Sequence, residues 1–377
     1  MILSSLGRRL KDTSAEHSLH RAYLRTSSRL DRGHASNRGL DRFPRLTRVA
    51  KPPVLFQYVA RLRCHSADAV AIGGLGTVTC AQDVTSTPMI PPRTILAPVD
   101  FSDASRASLQ CAAGLAAQWT ATLHVMHAID PLLAAAASSQ QMDLEGDTRA
   151  ELRVFLEAAA PDGARTAQYH AVSGGAAATI CDVADTLDAD LIVVGTRGLS
   201  GLNRLVMGTT VEHVIRRARR SVLTVPGHHP ASDGSAWGPV IAAIEQAGDP
   251  GAVAAAAGRL AASLDAPLHL VHVVPPLPAI ERWRAAADAA LHARLDDARR
   301  QLTAAAATLP PPAPTNLHVA TGPVADTLAA EVSRHAGTTA FLVLGRAEPG
   351  HGPAPGSVAS RVIARATAPV WVHLPGA

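Results

Sequence analysis

At 377 residues, 47% hydrophobic and 18% charged, the chain is long enough for two or three globular cores and too apolar for general disorder. Aromatics make up 3%, so the cores must be built from Ala, Val, Leu and Ile, as suits helices laid on a parallel sheet. The formal charge of +4 conceals a split: the first 90 residues hold 14 Lys and Arg against 6 Asp and Glu, and the remainder 21 against 25. The basic character thus belongs to the N-terminal segment, and the rest offers no electrostatic case for nucleic acid. No apolar run approaches a membrane span. Cys64, Cys80, Cys111 and Cys181 have no metal or redox spacing, which predicts a reduced, cytoplasmic protein.

Residues 1–90 read as a disordered basic leader. Arginines recur from Leu6 to Arg48 among Ser, His, Gly and Leu, as in a transit peptide or a basic arm. Met89 directly precedes the first strand signal, so translation from an upstream start is a third reading.

Strand and helix signals then alternate. Thr94–Val99 is a short apolar run, and Asp103 to Trp119 carries a helical stripe with Asp100, Ser102 and Asp103 as candidate caps. Leu123–Ile129 predicts a second strand, and Pro131 to Met142, lacking a clean period, a loose crossover. Thr148 to Ala160 predicts a helix stopped at Pro161-Asp-Gly163. Gln168–Val172 is a third strand, Ile180 to Leu187 a helix face, Leu191–Val194 a fourth strand, Thr209–Arg219 a helix and Val222–Val225 a fifth strand. Five strands with intervening helices imply right-handed crossovers and a parallel doubly wound α/β sheet, whose ligands sit at strand carboxyl ends.

The pattern then repeats. Val240–Glu245 mirrors Ile95–Asp100, His269–Val274 mirrors His124–Ile129, and Phe341-Leu-Val-Leu-Gly345 mirrors Leu191–Gly195. Gly356-Ser357 stands where Gly208-Thr209 stood, and Pro369-Val-Trp-Val372 closes the copy. The expected organisation is a first domain over 91–227, a linker over 228–237 rich in His, Pro, Ser and Gly, and a second domain over 238–377.

The richest motif is Gly195-Thr-Arg-Gly198, nine residues, then Gly208-Thr209. Glycines admit a ligand to the backbone, and a helix N-terminus favours an anion. Isolated glycines merely turn a chain or ease packing; the full spacing after a buried strand speaks for phosphate. With the Pro98-Val-Asp100-Phe-Ser opening, His127-Ala-Ile-Asp130 and the closing Ser-Val-Leu-Thr-Val-Pro226, it resembles the universal stress protein family, over 93–226 strongly and 238–374 more weakly.

The resemblance implies two tandem flavodoxin-like (adenine nucleotide alpha hydrolase-like) domains, each a five-stranded parallel sheet with helices on both faces. In the ATP-binding branch the cofactor is ATP, with or without Mg2+. Pro98, Val99 and Asp100 would line the adenosine side, Asp100 near the ribose or adenine, and Ala128 would offer backbone to the base. Val194, Gly195, Arg197 and Gly198 would lie under sugar and phosphates, and Gly208, Thr209 and Thr210 would receive the phosphates. Asp100 could equally cap the following helix. One departure is Gly174-Gly175-Ala176, where the family has Gly-x-Pro.

The second copy departs further. Its loop has ten residues between Gly345 and Gly356 where the first has twelve, and it carries Glu348, Pro349, Pro353 and Pro355, which repel phosphate or remove N–H donors. The expectation is one nucleotide per chain, bound by the first domain. The two fifth strands would pair within the molecule, with a further homodimer allowed.

No GxxxxGK[ST] loop supplies a lysine, and no base is positioned by the motif, so no catalytic residue is assigned. Arg197 and Arg204 either offset phosphate charge or are solvated. His228-His229 and the pair His269 and His272 read as solvated and structural rather than metal ligands. The run Arg216-Arg217-Ala-Arg219-Arg220 reads as the cationic last turn of a helix. A nucleotide-binding regulatory stress protein is expected; a nucleotide-free scaffold and a nucleotide-dependent transferase are the alternatives.

Overall fold

The structure is a computed structural model, and it describes residues 91–196, 207–227, 237–245, 250–310, 315–335, 339–345 and 358–374. The chain divides into two units, Met1–Val78 and Thr79–Ala377, and all described residues lie in the second. The basic leader, the linker and the loops after Thr196 and Gly345 lie outside the described residues.

In the first repeat the strands are β1 (Thr94–Pro98), β2 (Thr122–Ile129), β3 (Gln168–Ser173), β4 (Leu191–Gly195) and β5 (Ser221–Val225). Its helices are α1 (Asp103–Trp119), α2 (Pro131–Ser139), α3 (Leu144–Ala159), α4 (Pro161–Ala164), α5 (Ala176–Thr186) and α6 (Thr209–Arg217). The second repeat has β6 (Trp237–Ala243), β7 (Leu268–Val274), β8 (Thr315–Thr321), β9 (Thr339–Gly345) and β10 (Val370–His373). Between them run α7 (Pro250–Ser263), α8 (Arg284–Ala307), α9 (Val324–Ser333) and α10 (Val358–Arg365).

Within each repeat all pairings are parallel, in the orders β3-β2-β1-β4-β5 and β8-β7-β6-β9-β10. The winding direction reverses between β1 and β4, and again between β6 and β9. At such a switch point the loops following the two central strands diverge and leave a crevice.

Between Asp130 and Asp143 the expected loose crossover is instead the helix α2. Asp130 caps it, accepting from the Leu132 N–H at 2.8 Å, and Pro131 occupies its first turn. The alanine run supplies the helical propensity. Leu132 is 79% exposed, so no packed face imposes a period, which is why none is visible in the sequence. Helix α6 is also shorter than expected: Ala218 turns extended at φ −61°, ψ 138°. Only Arg216 and Arg217 of the basic run lie in its last turn, while Arg220 reaches Asp188 at 2.8 Å.

Helices cover both faces of the sheet over two apolar cores. One joins Leu109, Leu115 and Leu152 to Leu260, Leu302 and Phe341. The other joins Ile180, Val211 and Ile215 to Leu328, Val362 and Ile363. Cys111 belongs to the first core, and burial pushes its thiol up to about 12, so it packs as a small apolar group.

The repeats meet at β5 and β10, which pair antiparallel with Val370 opposite Thr224, Trp371 opposite Leu223 and Val372 opposite Val222. The result is one ten-stranded sheet. Trp371 is 1% exposed and stands edge-on to Trp119 at 6.4 Å between ring centroids. Thr224 Oγ1 donates to the Val370 carbonyl at 3.3 Å.

Two outcomes follow from this junction. Trp371→Ala opens a cavity in a core shared by both repeats and is expected to cost about 3–5 kcal/mol in urea unfolding. His373 lies beside Ser221, Nδ1 to Oγ at 3.5 Å, and burial with Arg259 nearby lowers its pKa from 6.5 to about 4. The unfolded chain therefore takes up this proton first as pH falls. Stability present above the ordinary histidine range is lost progressively toward the folded value, by on the order of 3 kcal/mol. His124, His170 and His269, also lowered by burial, act in the same direction. Denaturation at about pH 7 and about pH 4.5 should show a smaller acid loss in His373→Asn than in the unmodified chain.

Candidate nucleotide site

The crevice of the first repeat has a volume of about 270 Å³. Its first wall is the end of β1 and the turn after it. Val99 passes its N–H to the Met126 carbonyl at 2.8 Å, and Asp100 then leaves the sheet. Phe101 sits in the left-handed region at φ 62°, with its ring against His127 at 5.0 Å and Phe155 at 5.5 Å. A bulky residue in that conformation persists only where its surroundings hold it, and such positions gather at ligand sites.

The helix cap is Ser102, whose hydroxyl accepts from the Ser105 N–H at 3.1 Å. Asp100 braces that cap instead of forming it: Oδ1 accepts from the Ser102 N–H at 3.1 Å and from its hydroxyl at 2.6 Å. This fixes the carboxylate at the mouth of the crevice, and the cap that Asp100 could have formed is formed by Ser102.

The second wall is the end of β2. His127 Nδ1 lies 2.7 Å from the Val99 carbonyl, tying β2 to the turn, and Ala128 follows it on the lining. The second repeat reproduces the tie, with His272 Nδ1 at 2.6 Å from the Ile244 carbonyl. His272 therefore has a structural contact, and His269 stands edge-on to His335 at 5.2 Å.

Val194 and Gly195 form the floor. A Cβ on Gly195 would lie 2.7 Å from the Ala104 carbonyl oxygen, so this glycine lets α1 close onto β4. The third wall is built from two helix starts. Gly174 turns at φ +157° into α5, whose Ala176 and Ile180 reach the lining. Gly208 is held by its N–H to the Thr196 carbonyl at 3.1 Å and opens α6 without a side-chain cap. Thr209 and Thr210 then line the crevice with first-turn N–H groups that no intrahelical carbonyl can reach. One end thus carries a carboxylate and the other the positive ends of helix dipoles. The arrangement suits a ligand with hydroxyls or a base at one end and an anion at the other.

Of the residues singled out in the sequence, Pro98, Val99, Asp100, Ala128, Val194, Gly195, Gly208, Thr209 and Thr210 line this crevice together. Arg197, Gly198 and Arg204 lie outside the described residues. Sequence reasoning missed Ser105, His127, Ala176, Ile180, Val211 and Val214 as lining residues. His127 was legible in part, through its repeat at His272. The apolar helix positions carry a core pattern that says nothing of a cleft edge.

The second repeat has a crevice of about 240 Å³ at the matching place. Glu245 replaces Asp100 there, Val358 and Ala359 replace Thr210 and Val211, and Arg294 enters from α8, donating to the Pro275 carbonyl at 2.9 Å. Glu348, Pro349, Pro353, Pro355, Gly356 and Ser357 lie outside the described residues, as do His228 and His229.

Among the described residues no helix is long and apolar enough to cross a membrane. A model of the universal stress protein family matches residues 92–226 and again 237–373. Universal stress protein A homolog 1 of Coxiella burnetii is 32% identical over 144 residues, covering 35% of this chain and 94% of that protein. A universal stress protein of Methanocaldococcus jannaschii is 29% identical over 139 residues, covering 35% of this chain and 80% of the relative. The crystal structure of a universal stress protein from Archaeoglobus fulgidus superposes with a TM-score of 0.51 at 17% identity, covering 74% of this chain and 97% of that one, which speaks for the fold alone. With both repeats matched over most of its length, the chain belongs to the universal stress protein family, as a tandem of two such domains.

Proposed function

We propose that the first repeat binds an adenine nucleotide, ATP, and that the chain acts as a nucleotide-responsive regulator in the stress response. The observation that carries this reading is that nine of the residues the family resemblance implies line one crevice, with a fixed carboxylate at one end and an uncapped glycine-led helix start at the other. Asp100 would accept from a ribose hydroxyl, the backbone at Val99 and Ala128 would flank the base, and Thr209 and Thr210 would donate to phosphate, which Gly208, lacking a Cβ, lets approach. ATP brings its own Mg2+ where one is needed.

The second repeat serves pairing rather than binding in this reading. Val358 removes the hydroxyl that Thr210 offers, and Arg294 already spends a donor on Pro275. The edge strand that a separate domain would use to dimerise is engaged within the chain, in the β5–β10 ladder. Binding and sensing fit better than turnover. Among the described residues the ionisable side chains on the crevice wall, Asp100 and His127, are engaged in holding the β1 turn.

Calorimetry on the full chain tests this. One mole of ATP per mole of chain is expected, with affinity lowered about tenfold or more in Gly208→Ala/Thr209→Ala, since the lost Thr209 hydroxyl bond to phosphate costs about 1.5–3 kcal/mol and the added Cβ at position 208 obstructs the phosphate's approach. Thr209→Ala alone should give a smaller loss and guards against a folding defect. No binding by the unmodified chain would leave the scaffold reading, two moles would overturn the asymmetry, and rapid formation of AMP in the same samples would point to a transferase.

A further inference from the structure

Beside the crevice an open groove of about 880 Å³ runs between the first turn of α5 and the outer face of α6. It shares Ala176, Thr209 and Thr210 with the crevice and continues along α6 to His213, Arg216 and Arg217. Among the described residues no acidic side chain lines it. Arg216 is bound to Glu212 at 2.6 Å, whereas Arg217 and His213 are exposed and have no ion-pair partner among the described residues.

The second repeat shows what this position looks like when it is only structural. The turns at Gly174 and Gly322, each packed against a threonine, Thr179 and Thr327, fix the register of the two repeats. In that register Arg365 of α10 matches Arg217 and Asp326 of α9 matches Ala178. Arg365 Nε lies 2.9 Å from Asp326 Oδ1, closing the groove with an ion pair. In the first repeat alanine replaces the acid, so the guanidinium faces the groove uncompensated. A cation in the last turn of α6, left without that acid and facing the first turn of α5, is a place for an anion.

We infer that the groove receives the distal phosphates of an extended nucleotide tail, so that the site selects nucleoside triphosphates and longer polyphosphates over monophosphates. This rests on the nucleotide reading above and adds to it the residue, Arg217, that reads tail length. From Thr209 to Arg217 the helix rises about 12 Å, a span that linked phosphates leaving the α6 N-terminus can cover only in part, with the long arginine side chain reaching back for the rest. A nucleoside monophosphate ends at Thr209 and Thr210, where the groove begins, and does not extend along α6 to Arg217.

The test is calorimetry on the full chain with AMP, ADP, ATP, adenosine tetraphosphate and inorganic tripolyphosphate. Two variants are compared: Arg217→Ala, and Ala178→Asp, which installs the second repeat's acid in the first turn of α5, where an acid suits the helix. ATP and tetraphosphate affinity is expected to fall about fivefold in each, the upper end of what an exposed charge pair supplies, with AMP affinity unchanged. Unchanged AMP binding also reports an intact fold. If both variants weaken AMP and ATP equally, or neither, the groove assignment fails while the nucleotide site stands. If the unmodified chain binds no nucleotide, both fail. Tripolyphosphate bound as tightly as ATP would overturn the assignment to a nucleotide's tail.

Discussion

Strand β5 meets β10 edge to edge in antiparallel register, and through that ladder two five-stranded sheets become one of ten. An uncovered edge strand exposes a row of unpaired N–H and C=O groups, a standing cost in water and a template for aggregation. Here each repeat covers the other's edge. The same contact places Trp371 in a core with Trp119, so that the apolar layers on both faces continue from one repeat into the next. Because every strand within a repeat is parallel, the carboxyl ends of β1 to β5 gather on one side, and the crevice of the first repeat lies there.

That frame explains why one repeat could diverge. Nothing in the β5–β10 ladder depends on the residues that line either crevice. The first repeat keeps threonines at the start of α6, an acid braced by Ser102, and an open groove with Arg217; the second keeps the His272 tie and the packed helices but fills the matching places with Val358, Ala359 and the Arg365–Asp326 pair. Duplication supplies an internal control: His127 with His272 and Gly174 with Gly322 make the same structural contacts in both copies, and side chains found in one copy alone are candidates for binding.

Much of the fold was legible. Buried parallel strands announce themselves as short apolar runs, α1 carries caps and a stripe, and the repeat fixes the domain pattern. Helix α2 escaped because its leucines face solvent and its stability comes from alanine propensity and the Asp130 cap, neither of which makes a period. The end of α6 was misjudged because Ala218 and Arg219 are compatible with a helix, and it is the need to enter β5 that turns the backbone extended.

The sequence by itself determined that there are two copies of one unit, and its glycine spacing and helix start, being local, pointed to residues that line the crevice. Only the tertiary structure decided that Asp100 braces Ser102, that Gly195 makes room for the Ala104 backbone, and that Arg217 stands over an open groove while Arg365 is neutralised. The Asp100 brace is local and is fixed by the turn that leaves β1, whereas the Gly195–Ala104 approach and the Arg365–Asp326 pair depend on distances between segments far apart in the chain. Such distances are set by sheet order and helix packing, and residue identity along one strand or helix does not encode them.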